Sequence, residues 1–144
     1  MHRLLRALLA ISLTIPGLLR AQDESLRGAA ERARRAWSAH DPVGLVGGSP
    51  RVQVQLPGAD PSAALGPGQA AALLGDFISS AQEVETTVRA AREVTPGSGY
   101  VELQRRYRVA GTQDIRVQVL LLSYRLTKAG WRLVEVRVVD NGSH

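Results

Sequence analysis

From Glu83 almost to its last residues the sequence alternates with a period of two, in four runs near 83–94, 99–110, 114–126 and 131–139. The segments between them are Thr95-Pro96-Gly97-Ser98, Gly111-Thr112-Gln113 and Thr127-Lys128-Ala129-Gly130, all rich in residues that preset or tolerate turn conformations. Such short links exclude parallel neighbours, because a parallel crossover takes roughly a dozen residues or more. Four strands joined this way pair in sequence order as an antiparallel meander, so this feature commits much of the chain. Pairing Val109 with Ile115 across the second turn sets Tyr107 opposite Val117, Arg105 opposite Val119 and Leu103 opposite Leu121. Glu102, Gln104, Arg106 and Arg108 then take the other face, and a slip of one residue would invert the faces. On this register Thr86, Arg105 and Tyr107 look inward, and Tyr100 and Tyr124 outward. The run Val119–Leu122 is apolar on both faces, as in a central strand covered on both sides. Leu120, Leu122 and Tyr124 are therefore a candidate association face.

Helical spacing precedes the strands. Leu26, Ala30, Ala33 and Trp37 recur at steps of four, three and four, which places them on one stripe of a helix over 23–40. Asp23 and Glu24 favour its positive end, and Trp37 is its largest core anchor. Asp41-Pro42 suits the cap and first residue of a short second helix, with Val43, Leu45 and Val46 packing locally. Residues 51–56 alternate Val52, Val54 and Leu56 against Arg51, Gln53 and Gln55, the pattern of a half-buried strand. Residues 57–68 hold three Pro and three Gly and read as a loop. Ala70, Leu73, Leu74, Phe77, Ile78 and Ala81 then mark an amphipathic helix over 69–81, with Asp76 facing solvent.

The first residues read as an export signal. His2, Arg3 and Arg6 supply positive charge, Ala7 to Ile15 is apolar, Pro16 and Gly17 break the run, and Ala21 offers a small residue for cleavage. The run is shorter than the roughly 20 residues a membrane span takes. With no cysteine in the chain, attachment through a lipidated cysteine is excluded. The expected mature domain is 22–144, a single unit large enough for its own core without disulfides. Arg3, Arg6 and Arg20 leave with the signal, so 15 of the 18 basic residues face 13 acidic ones. That balance is ordinary. All but Lys128 of the basic residues are Arg, which reads as the coding bias of a GC-rich bacterial genome.

The order of long helix, short helix, strand, helix and four-strand meander resembles the nuclear-transport-factor-2-like superfamily. The segments that carry the likeness are Ala36-Trp37-Ser38-Ala39-His40-Asp41-Pro42, Leu73-Leu74-Gly75-Asp76-Phe77-Ile78, and Gly111-Thr112 through Trp131-Arg132-Leu133-Val134. It is most similar to short exported bacterial domains of unknown function. The resemblance implies an α+β fold in which a strongly curved antiparallel sheet, one short strand plus the meander, wraps about three helices as a cone. It also implies a pocket inside the cone, for which Trp37, Phe77, Arg105 and Tyr107 are the candidate lining. It does not imply an activity, since fold and function separate.

The chemistry expected of such a pocket is sparse. Enzymes of the superfamily place an Asp, His or Tyr deep in the cone. Here Tyr107 faces inward with no carboxylate beside it on the predicted strands, which fits a core tyrosine better than an acid. An inward Arg105 needs a counter-charge or an anionic ligand, unless it lies near a sheet edge, the plainer reading. His40 and Asp41 are sequence neighbours pointing roughly 100° apart on a helix, so helix end and cap explain them better than a dyad. No ligand spacing suggests a metal, and no motif a cofactor. Arg32, Arg34 and Arg35, and Arg105, Arg106 and Arg108, interleave with Glu31 and Glu102, which excludes a basic nucleic-acid face. The expectation is a noncatalytic domain of the periplasm or outer surface, without a membrane span once the signal is removed. It would bind a small apolar molecule or associate with itself or a partner. The alternative is an isomerase, dehydratase or hydrolase that uses the cone pocket.

Overall fold

Helix α1, Leu26–Ser38, begins where the Ser25 hydroxyl accepts the Gly28 N–H at 3.1 Å, a capping bond that satisfies one of the free amides of the first turn. The computed structural model describes residues 25–141, so the expected export signal and the charges of Asp23 and Glu24 lie outside the described residues. Leu26, Ala29, Ala30, Ala33, Ala36 and Trp37 are buried along one side of α1, and the alanines let the helix lie close to the sheet. Its end is a left-handed cap. His40 takes φ 51°, its N–H reaches Trp37 O at 3.0 Å, and the Asp41 N–H reaches Ala36 O at 2.8 Å, a pairing that satisfies two orphan carbonyls of the last turn. The Asp41 carboxylate then accepts the Gly44 N–H at 2.9 Å and opens α2, Pro42–Val46. Helix end and cap thus account for His40 and Asp41. Leu45 and Val46 are buried, but Val43 is 71% exposed, because a five-residue helix turns only one side to the core.

The first strand, β1, is shorter than the alternating run: Gln53–Gln55. Its partner also differs from an all-antiparallel sheet. It lies parallel to β5, with Val54 beside Val136. The loop after it folds back, pairing Val52 with Leu65, and β1 lies at the edge of the sheet beside β5. Helix α3, Pro67–Ser79, starts two residues before the expected position because Pro67 suits the first helical turn, and Asp76 is exposed.

Strands β2 Ala81–Thr95, β3 Ser98–Val109, β4 Ile115–Thr127 and β5 Gly130–Asp140 form the meander, in the order β1-β5-β4-β3-β2. The fold is α+β, with helices packed against one side of a mixed sheet. Three register shifts interrupt the β2–β3 ladder, between Glu83 and Glu85, Val88 and Ala90, and Glu93 and Thr95. Each extra residue bends and twists its strand, curving β2 around α1.

The β3–β4 register departs from the expected one by a single residue. Arg108, not Val109, pairs with Ile115, so Arg105 faces Gln118 and Leu103 faces Leu120. The turn explains this. Gly111 takes φ 78° and the Thr112 N–H bonds to Val109 O, while the Val109 N–H closes onto Asp114 O. Asp114 thereby takes the place opposite Val109, and every side chain of β4 changes face. Leu120, Leu122 and Tyr124 are 0, 0 and 4% exposed and belong to the core, so they are not an association face. Val117, Val119 and Leu121 look outward instead.

The inward face reads as rows across the strands. Val88, Leu103, Leu120 and Val138 form one row and Ala91, Val101, Leu122 and Val136 the next, both set against α1 and α3. At the far end Gly99 leaves room for its neighbours: a Cβ there would sit 2.7 Å from Leu26 Cδ1 and 3.1 Å from Trp131. Gly99→Ala is therefore expected to cost about 1–3 kcal/mol by overpacking, read as a lower urea midpoint at unchanged m. An unchanged midpoint would mean that α1 does not press on β3 there.

Candidate functional site

Beyond the apolar rows, one row of the inward face is polar: Thr86, Arg105, Gln118 and Asp140, one residue from each of β2, β3, β4 and β5. Arg105 stands on an inner strand and is 1% exposed, so it is not at a sheet edge. Its counter-charge is Glu83. The bulge at Val84 brings Glu83 beside Tyr107 while keeping Thr86 beside Arg105, so both turn inward although three residues apart. The guanidinium forks onto both carboxylate oxygens of Glu83: Nη2 pairs with Oε1, and Nε lies 3.3 Å from Oε2. Nη1 donates to Gln118 Oε1 at 3.1 Å, and Gln118 Nε2 donates to Asp140 Oδ1 at 2.8 Å. His40 Nε2 is 3.5 Å from Glu83 Oε1.

Three rings complete the cage. The Arg105 guanidinium carbon is 4.1 Å from the centre of Tyr107, 5.1 Å from Trp37 and 5.8 Å from Phe77, within the range of cation–π attraction. The structure thus gathers all four predicted pocket residues, but the arginine fills the space they enclose. Of three hollows on the described surface, none is lined by Trp37, Phe77 or Arg105. One of about 300 Å³ opens at Tyr107, Ile115, Val117, Asp140 and Asn141.

Burial lowers the Arg105 pKa from its ordinary value, opposed by Glu83 and, less, by Tyr107. A guanidinium starts so high that it stays charged at neutral pH. Glu83 spends both oxygens on Arg105, and Gln118 is committed on both sides. The pair is therefore a neutralised, caged unit rather than a poised acid and base. The Trp37 indole N–H and the Thr86 hydroxyl are buried without partners among the described residues, a cost carried by the same layer.

Glu83, Gln118 and Asp140 escaped the sequence reading. An inward arginine demands a carboxylate, and Glu83 and Glu85 on the neighbouring strand were the nearest supply. Only the bulge decides between them: Glu85 pairs with Arg106 at the surface, at 3.3 Å. Gln118 appears opposite Arg105 once the register moves by one.

No family model matches the chain, and no curated protein matches it. Solved structures do. A ketosteroid isomerase-like protein from Erwinia carotovora superposes with a TM-score of 0.67 at 12% identity, covering 82% of this chain and 95% of that one. A domain of unknown function with a cystatin-like fold from Nostoc punctiforme gives 0.65 at 15%, covering 85% and 79%. A nuclear-transport-factor-2-like protein with a cystatin-like fold from Novosphingobium aromaticivorans gives 0.59 at 19%, covering 88% and 86%. These likenesses establish the fold, which is nuclear-transport-factor-2-like, and nothing finer.

Removing one partner of a buried ion pair leaves an uncompensated charge and costs about 3–5 kcal/mol, whereas replacing both is often near neutral. Glu83→Gln is thus expected to lose more stability than the double change Glu83→Gln with Arg105→Met, measured by urea unfolding. Equal losses would show that the pair is not coupled.

Proposed function

We propose that this is an exported, noncatalytic domain that works by self-association through the face of its sheet turned away from the helices. The observation that carries the reading is the outward composition of the inner strands. Val117, Val119 and Leu121 of β4 and Val139 of β5 are half-buried on that face, where a solvated antiparallel sheet normally alternates to polar residues. Glu102 and Arg137 lie on either side of Leu121, and Gln104 and Val139 on either side of Val119. This order of an aliphatic centre with opposite charges at its flanks complements itself under two-fold rotation, when Glu102 meets the second copy's Arg137. Four strands of this length present roughly 700 Å² in projection, from spacings of about 4.8 Å between strands and about 3.3 Å per residue. That is close to the ~800 Å² per partner of a stable interface.

The caged Arg105 supports the same reading. A small apolar ligand would have to displace a guanidinium from Glu83 and three rings, and the alternative of acid–base catalysis finds the Glu83 carboxylate committed to Arg105, with His40 held against the same oxygen. Export rests on the sequence of residues 1–21. Sedimentation is expected to show a dimer at micromolar concentration, and Leu121→Glu a folded monomer, since a buried charge at the centre of the contact has no partner. A monomer throughout the micromolar range would overturn the association. Expressed with its leader in a bacterium, the protein is expected outside the cytoplasm with its N-terminus near residue 22. Retention of Met1 in the cytoplasmic fraction would overturn the export.

A further inference from the structure

A second polar site stands apart from the cage, between the turn that follows α2 and the start of β5. A hollow of about 190 Å³ is walled there by Gly48, Ser49, Tyr124, Trp131 and Arg132, with Arg32 of α1 beside them, and among the described residues no Asp or Glu lines it. The Arg132 guanidinium lies flat against Gly48. A Cβ on that glycine would come within 3.1 Å of Arg132 Cζ and Nη1, so a larger residue would push the guanidinium from this seat by a few tenths of an ångström. Among the described residues Arg132 makes no ion pair, and its neighbour across the β4–β5 ladder is another cation, Arg125. Beside it Ser49, 2% exposed, holds a buried hydroxyl with no partner among the described residues.

An uncommitted guanidinium and an unused hydroxyl in the wall of one hollow are both complementary to the same chemistry. We infer that this hollow is a subsite for the oxyanion of a small soluble ligand, a phosphate or a carboxylate. Arg132 binds it through paired charge-assisted hydrogen bonds, and Ser49 supplies a further donor by turning its hydroxyl toward the bound oxygen. The hollow is smaller than the ~300–1,000 Å³ of pockets for drug-sized molecules, so it takes an anionic group with few attached atoms. The site is independent of the outward sheet face, and either can fail alone.

The test is an NMR titration of the purified protein with sodium phosphate and, separately, sodium acetate, against sodium chloride at equal ionic strength. Saturable shifts are expected at the amides of Gly47 to Ser49 and at the Trp131 indole, and the anion that saturates first distinguishes a tetrahedral from a planar ligand. Arg132→Gln is expected to weaken binding at least tenfold, about 1.4 kcal/mol. Gly48→Ala, which pushes a methyl group into the guanidinium, is expected to weaken it while leaving the rest of the spectrum in place. Ser49→Ala is the discriminating variant: loss of an unpartnered hydroxyl leaves stability unchanged or higher yet weakens the anion. Arg89→Gln, on the exposed part of β2, leaves binding as it was. Equal shifts in chloride, no saturable shift, or full binding by Arg132→Gln would overturn the inference.

Discussion

The ion pair of Arg105 and Glu83 governs what the rest of this fold can do. A buried guanidinium is tolerable only if its charge is met and its donors are used. The protein meets the charge with a two-oxygen fork from Glu83, gives a further donor to Gln118, and closes the planes with Tyr107, Trp37 and Phe77. The members come from five elements: α1, α3, and strands β2, β3 and β4. The pair therefore ties the helical layer to the sheet at the end where the apolar rows stop. The bulge at Val84 belongs to the same device, because without it Glu83 and Thr86 would not share a face.

Filling the cone moves the working surfaces outward. Many unlike functions can be grafted on one fold, and here the chain's own cation stands among the rings expected to line the pocket. Among the surfaces that remain are the sheet face with its aliphatic centre and the hollow beside Arg132. The two lie on different parts of the molecule, and we propose different occupants for them, a second copy of the chain and a small anion.

Much of this was legible in the residues, for physical reasons that differ element by element. The stripe of Leu26, Ala30, Ala33 and Trp37, and the alternation of β3 from Val101 to Tyr107, carry their periods openly, so α1 and the inward direction of Arg105 could be read directly. Helix end and cap at His40 and Asp41 were legible because Asp-Pro suits only a few backbone positions. In β4, Val119-Leu120-Leu121-Leu122 offers no alternation to orient it. Its face hung on the turn, where the pairing of Asp114 with Val109 shifted the register by one and exchanged Leu120 and Leu122 for Val119 and Leu121. The parallel pairing of β1 with β5 joins segments some 80 residues apart, and no local pattern encodes it. The partner of Arg105 was hidden for a similar reason, since a bulge decides whether Glu83 or Glu85 turns inward.

The central claim, that Arg105 is enclosed and occupies the cone, is most directly tested through its own side chain. In an NMR spectrum tuned to arginine Nε–H groups, Arg105 is expected to stand apart. Its proton should be protected from exchange with water by burial and by Glu83, and its shift displaced by the rings of Tyr107, Trp37 and Phe77. An Arg105 signal that exchanges as fast as those of the exposed Arg51 and Arg106, at the same shift, would contradict the account and reopen the cone as a ligand pocket.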